Sequence, residues 1–517
     1  MRIGITGRLV PRFYSASIPV VWRDARRGYT RGVTLLELFA PTLRTRADAV
    51  GLEWQDRSYT FGEIDAWSTR VAQALLARGV RQGDRLALYL PNRPDYIGLV
   101  LACLKVGVIV VPINILYKER EAGHIVRDSQ PRAVVIEDRA PAPGIDSWPL
   151  DELMSDAETR DLVPPVERIT AGTPAALIYT SGTTGAAKGA ILTHANFAAN
   201  ASTLVHAWRF NQDDRLLLAL PLFHVHGLGN GVMCWLTCGC RVRLLPRFDQ
   251  RTAADEFLAF RPSVFFGVPT MYVRLLEIDE RRATEIGRHA RLFVSGSAPL
   301  SPHVLEAFGV RFGHHILERY GMTETLMTLS NPYDGERRAG TVGVPLPRVA
   351  ARIVSGGRDV EHGETGELWV QSPTVCAGYW QRPEATAAAF ADGWFRTGDL
   401  ASRSADGYIT LHGRQSDLII SGGFNIYPRE VEEVLVEHAS IAEAAVAGVP
   451  DTARGEVPVA FVVLREGAVL DPGALDAHCR ALLASFKVPR AFVAKDTLPR
   501  TALGKVQKAV LLDAYLR

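Results

Sequence analysis

Short apolar runs alternate with helical stretches along most of this chain, and that alternation is the strongest limit on its fold. Residues 85–90, 133–136, 215–219, 241–245 and 263–266 read as buried strands. Turn residues bound them, and segments of helical pattern stand between them. Such alternation argues for parallel sheets covered by helices. At 517 residues the chain exceeds one core, so two or more domains are expected. Near residue 350 the texture changes to short strands, at 351–354 and 367–370, between Gly-rich turns. That predicts a small β subdomain. A second change near Gly413-Arg414 opens a module with helices expected at 428–438 and 472–483 and strands at 441–449 and 457–464. Pro428 suits a helix start, where its missing N–H costs nothing. The expected fold is α/β: a large N-terminal domain of parallel sheets plus the β subdomain over 33–413, and a small α+β C-terminal domain over 414–517, preceded by an extension over 1–32.

The net charge is only +2, which gives no electrostatic footprint for a nucleic-acid partner. No apolar run reaches the ~18 residues of a transmembrane helix. The six cysteines include Cys234, Cys238 and Cys240, whose spacing is a poor zinc signature. They are expected to be reduced core thiols of a cytoplasmic protein. Residues 1–32 carry Arg2, Arg8, Arg12, Arg23, Arg26, Arg27 and Arg31 against one acid, Asp24. A basic surface extension or a misplaced start is the preferred reading; a transit peptide would place the protein in the mitochondrial matrix.

The stretch Thr180-Ser181-Gly182-Thr183-Thr184-Gly185-Ala186-Ala187-Lys188-Gly189 follows an apolar run at 175–178. It offers hydroxyls, backbone N–H groups and one positive charge to an anion, and its glycines let the backbone come close. It lacks the Gly-Lys-Ser/Thr ending of a P-loop. A flexible linker is the rival reading. Against it, the next residues look like a helix start at Thr193 and Asn196. Four more clusters follow. Pro221-Leu222-Phe223-His224-Val225-His226-Gly227 places two histidines among apolar neighbours. Arg319-Tyr320-Gly321-Met322-Thr323-Glu324-Thr325 joins an aromatic ring to hydroxyls and a carboxylate. Trp394-Phe395-Arg396-Thr397-Gly398-Asp399 sets an acid after a glycine turn, suited to a ribose diol. Leu503-Gly504-Lys505 lies near the C-terminus. Each alone has an ordinary structural reading as a core histidine, a turn, a cap or a solvated lysine.

In this order they resemble the adenylate-forming enzymes: acyl- and aryl-CoA synthetases, luciferases and adenylation domains. The resemblance runs from about residue 34 to the end. Within that group, Glu318-Arg319-Tyr320-Gly321-Met322-Thr323-Glu324-Thr325, Asn331-Pro332-Tyr333-Asp334-Gly335-Glu336, Gly340-Thr341-Val342-Gly343 and Val294-Ser295-Gly296-Ser297-Ala298-Pro299-Leu300 look most like malonyl-CoA synthetases. The resemblance implies ATP, Mg²⁺ and coenzyme A, with a small carboxylic acid as substrate. A carboxylate attacks the α-phosphate, and coenzyme A then displaces AMP. Thr180, Ser181, Gly182, Thr183, Thr184 and Lys188 would hold the β- and γ-phosphates. Glu324 would ligate Mg²⁺, with Thr184 nearby. Tyr320 would pack on adenine, within Gly321-Met322-Thr323, with Gly296, Ser297 and Ala298 across the slot. Asp399 and Arg414 would hold the ribose. Lys505 would bridge the acid and the α-phosphate. It sits on a mobile C-terminal domain that swings about Ser416, after which Gly422, Gly423 and Phe424 approach the thiol.

The resemblance leaves the acid open. His224 stands where amino-acid-activating relatives carry Asp, which argues against amino acids and sets His224 among the catalytic and substrate-facing residues. A diacid needs a cation for its second carboxylate. The candidates are Arg274 and Arg291, with Arg274 favoured. Malonate or methylmalonate is the expected acid. The alternatives are a medium-chain or aromatic acid, an inactive binding protein, and last a light-producing oxygenase. The chain keeps Lys188, Glu324, Asp399, Arg414 and Lys505, against the inactive reading.

Overall fold

A computed structural model describes residues 32–140, 146–180, 187–422, 424–452, 454–501 and 504–517. Among the described residues, the strands Leu317–Met322, Leu292–Ser295, Val264–Gly267, Arg215–Leu218, Arg241–Leu244 and Val50–Trp54 lie side by side in one sheet, paired in parallel. A second sheet sets Arg85–Tyr89 between Ala133–Ile136 and Ile109–Pro112, again parallel. Several of these strands are buried along their whole length, as runs covered on both faces must be. Helices Phe61–Ala77, Pro94–Val106 and His194–Ala207 contribute to one apolar core that reaches strands of both sheets. A second core, rich in Phe257, Phe265, Phe293 and Phe308, covers the far face of the first sheet.

The expected β subdomain is present as an antiparallel sheet that includes Ala350–Ser355, Gly366–Gln371, Trp394–Arg403 and Ile409–Arg414. One 3₁₀ turn, Gln415–Asp417, leads from its last strand to Ile419–Ser421, which belongs to a separate sheet with its own core. Helices Pro428–Glu437 and Pro472–Leu482 cover that C-terminal sheet. The architecture is therefore mixed α/β, with a large N-terminal domain and a smaller C-terminal one.

Gly343 ties the β subdomain to the large domain. Its carbonyl accepts from Ile409 N at 2.8 Å. Its φ is +82°, and an added Cβ would lie 2.1 Å from the backbone of Ser330 and Asn331. Gly343→Ala combines left-handed strain with a backbone clash. We expect it to destabilise the fold by about 3 kcal/mol or more, read as a fall in Tm on thermal unfolding.

Candidate active site

Thr180 and Lys188, which flank most of the stretch expected to hold phosphate, stand on two paired strands. Pro174–Thr180 and Lys188–Thr193 pair antiparallel, with Thr180 opposite Lys188. The apolar residues after Lys188 are thus a return strand, and the helix comes only then. Helix His194–Ala207 is capped by the Thr193 side chain, which accepts from Asn196 N. Ser181, Gly182, Thr183 and Thr184 lie outside the described residues.

Glu324 sits in the turn between the antiparallel strands Leu317–Met322 and Leu326–Ser330. That turn requires Gly321, where a Cβ would lie 1.9 Å from the Leu326 carbonyl oxygen. The buried Glu324 carboxylate accepts from Thr180 Oγ1 at 3.3 Å and from Tyr379 OH at 3.0 Å. Lys188 Nζ stands 5.4 Å from the Tyr379 ring centroid. So Thr180, Lys188 and Glu324, distant in sequence, meet around Tyr379, a residue that no motif had marked. The described residues hold no cluster of three or more His, Cys, Asp or Glu placed for a metal. One carboxylate with a neighbouring hydroxyl fits Mg²⁺, which binds through one or two carboxylates, water and substrate phosphates. When bound, the ion would supply charge against the phosphates.

Asp399 and Arg414 face each other across paired strands. Arg414 Nε lies 2.7 Å from Asp399 Oδ1, and the other carboxylate oxygen accepts from Tyr320 OH. Burial raises the Asp399 pKa, opposed by the Arg414 charge. The Tyr320 ring is buried on the same acid. Lys505 belongs to the other domain yet feels the charges of Arg414, Asp399 and Asp417. Lys505 is exposed at the surface, yet the protein crowding its ammonium, with Arg414 near, draws its pKa below the ordinary lysine value. Gly504 explains the approach: at φ +79° its missing side chain leaves room for Thr270, whose Oγ1 would be 3.3 Å from a Cβ. Gly504 thus lies against Thr270 of the large domain, and the charges of Arg414 and Asp399 act on the neighbouring Lys505.

A third group lines the face of the first sheet next to the helix His194–Ala207. The segment after the strand Arg215–Leu218 forms a π-helical turn, His226–Val232, which the sequence reading did not foresee. His226 Nδ1 lies 3.2 Å from Ser297 Oγ, and Ser297 has φ +70°. His226 N donates to His224 Nδ1 at 3.1 Å, which puts the neutral His224 proton on Nε2. Burial, with the Arg319 charge second, pushes the His224 pKa down to about 3. His226 is driven well below its ordinary value for the same reasons.

Arg319 is the residue sequence reasoning passed over. It pairs with Ser330 across the strands, so both side chains share a face. Ser330 Oγ accepts from Trp208 Nε1 at 3.0 Å; Trp208 packs on Phe266, and Phe266 on His226. The guanidinium lies against Gly296, where a Cβ would be 2.3 Å from Cζ. Arg319 is 3% exposed, and its Nε and Nη2 have no hydrogen-bond partner among the described residues. Burial pushes its pKa down to about 9. His226 Nε2 and Asn230 Nδ2 are likewise buried without partners among the described residues.

The two arginines expected near a diacid are placed otherwise. Arg291 precedes its strand, at the end of the parallel sheet opposite to the site. There it forms a two-point pair with Asp214, Nε to Oδ1 at 2.8 Å and Nη2 to Oδ2 at 2.6 Å, and also donates to the Trp208 and Arg209 carbonyls. Its donors are already used. Arg274 stands at the correct end, on helix Pro269–Leu275, but is exposed, while its neighbour Tyr272 turns inward to the Val294 carbonyl. Gly422 and Phe424 are not brought to this site either. Phe424 is 56% exposed and stacks on Phe486 at 4.7 Å within the C-terminal domain. Gly423 lies outside the described residues.

Comparisons with known proteins point to one family of enzymes. The family model for the AMP-binding enzyme matches residues 39–380, and that for the AMP-binding enzyme C-terminal domain matches residues 430–505. A long-chain-fatty-acid–CoA ligase of Bacillus subtilis is 34% identical, over 93% of this chain and 94% of its own. The mitochondrial malonate–CoA ligase ACSF3 of Mus musculus is 36% identical, over 88% of this chain and 86% of its own. The crystal structure of ATP-bound MatB from Rhodopseudomonas palustris superposes with a TM-score of 0.87 at 37% identity, covering 93% of this chain and 99% of that one.

Proposed function

This chain belongs to the AMP-binding enzyme family, and on that premise we propose that it joins malonate or methylmalonate to coenzyme A. The coarser activity is that of the family: an acid–thiol ligase using ATP, Mg²⁺ and coenzyme A, with an acyl-adenylate intermediate. Relatives of similar identity act on quite different acids, so the choice of acid rests on the site.

Arg319 carries the reading. A buried guanidinium with unpaired donors costs several kcal/mol unless something anionic returns the lost interactions. Among the described residues no carboxylate does so. A substrate with a second carboxylate would, through Nε and Nη2 as a two-point pair. The neutral His226 and Asn230 leave further polar atoms nearby, which a long alkyl chain would strand. The fatty-acid relative favours the rival, but an apolar tail against Arg319 is the poorer match.

The remaining roles follow the same reading. Thr180 and Lys188 hold the outer phosphates, Glu324 the Mg²⁺, Tyr320 the adenine with Gly296-Ser297-Ala298 opposite, and Asp399 with Arg414 the ribose. The body of the enzyme spans 33–413, and a domain over 414–517 turns about Ser416. Turning would bring Gly422 and Phe424 to the thiol. No helix among the described residues is long and apolar enough to cross a membrane.

The test is pyrophosphate release with ATP, Mg²⁺ and coenzyme A across malonate, methylmalonate, sulfoacetate, butyrate, octanoate and 4-coumarate. Malonate or methylmalonate is expected to give the highest kcat/KM, by about a hundredfold over butyrate. A preference for octanoate or coumarate would refute the diacid reading and leave the ligase intact.

A further inference from the structure

We infer that Asp128 is a positioning residue for the phosphate-binding hairpin, holding its stem in register with the Glu324 site through Tyr179 and Arg382. Asp128 lies on helix Glu119–Ser129, and its side chain is only 8% exposed. Its Oδ2 accepts from Tyr179 OH at 2.7 Å, and its Oδ1 pairs with the Arg382 guanidinium. The three partners come from three separate pieces of chain. Tyr179 is the last residue but one of the outgoing hairpin strand. Its ring lies over Gly189 of the return strand, where a Cβ would come within 3.0 Å of it. Arg382 ends a segment that runs along the return strand, with Trp380 N donating to Gly189 O at 2.8 Å and Ala377 N to Ile191 O at 2.9 Å. The same segment carries Tyr379, which reaches Glu324.

His124, one turn before Asp128, adds a second tie. Its Nε2 lies 2.8 Å from the Ala187 carbonyl, next to Lys188, and its ring meets Tyr179 edge-on at 6.4 Å. One helix thus grips the outgoing strand, the residue just before the return strand, and the segment that aims Tyr379. None of these groups touches Glu324 except through Tyr379. A carboxylate so placed serves alignment: sub-ångström shifts of Thr180 and Lys188 relative to Glu324 would weaken the hold on an outer phosphate.

This rests on the reading that the hairpin holds the β- and γ-phosphates, and the test separates the two. MgATP and AMP are titrated calorimetrically into the full-length enzyme and into Asp128→Asn, Tyr179→Phe and Lys188→Ala. Asp128→Asn should raise the Kd of MgATP about tenfold, as for a lost charge-assisted bond, and leave that of AMP within twofold. Tyr179→Phe should shift MgATP the same way by less. If Asp128→Asn and Tyr179→Phe weaken both nucleotides equally, or neither, while Lys188→Ala weakens MgATP alone, the alignment role is wrong and the phosphate reading stands. If Lys188→Ala also leaves the ratio of the two Kd values unchanged, both are overturned.

Discussion

Replacing Lys505 with alanine is expected to slow acyl-adenylate formation by about 10²–10³-fold, the usual loss when one preorganised charge is removed from a developing anion. Thioester formation from a pre-formed acyl-adenylate should stay near the wild-type rate. The first step joins a carboxylate to a polyphosphate, two anions, so the site needs a cation between them. On the proposed reading, Lys505 is the cation that the smaller domain would deliver. Gly504 lets its loop settle against Thr270, and the ammonium then lies in the field of Arg414 and Asp399. Its lowered pKa fixes the sign of the pH effect. The ammonium is the useful form. It is lost as pH rises through a value below that of an ordinary lysine. Pyrophosphate exchange should therefore decline on the alkaline side earlier than free lysine would dictate, and thioester formation should not share that limb. Equal loss of both steps in Lys505→Ala would sink the assignment.

The layered fold was legible because buried parallel strands write themselves as apolar runs of limited length. Arg215–Leu218, Arg241–Leu244 and Val264–Gly267 stand within a residue or two of where the pattern puts them. Asp399 with Arg414, and Glu324 with Thr180, could be named from motifs, but only the fold shows that they meet. The π-helical turn at His226–Val232 has no signal that local propensity would catch. Arg291 could have been set aside from sequence: it precedes its strand, whereas ligands gather beyond strand carboxyl ends in such sheets. Arg319 had a signal that went unused. It stands in a buried central strand beside Glu318, and adjacent strand residues point to opposite faces. Two consecutive charges there must both be buried, which is costly enough to demand a reason. Glu318 finds one partner in Leu300 N at 3.0 Å, and burial pushes its pKa up to about 7. Arg319 finds none among the described residues for Nε and Nη2.

That unpaired guanidinium leads to an opposed pair of effects. Arg319→Met keeps a long unbranched side chain and removes the charge. Activity on malonate should fall by about 10²–10³-fold in kcat/KM, the loss when one partner of a buried charge pair is deleted and the other is left unpaired. Butyrate, which presents an ethyl group where malonate presents a carboxylate, should be retained or improved. Stability should move the other way. A buried charge without a partner is replaced by an apolar group of similar length, an exchange that is neutral or stabilising by about 1–4 kcal/mol. The Tm of the substrate-free enzyme should hold or rise. A residue kept for packing would behave differently: its loss would lower Tm and cut every acid alike. Thermal unfolding of the free enzyme, set beside kcat/KM for malonate and butyrate, decides between them. If malonate activity survives in Arg319→Met, the second carboxylate is held elsewhere and the proposed acid loses its main support. If malonate activity is lost while Tm rises, the chain is carrying an uncompensated buried cation for the sake of an anionic substrate, a stability cost concentrated at the functional site.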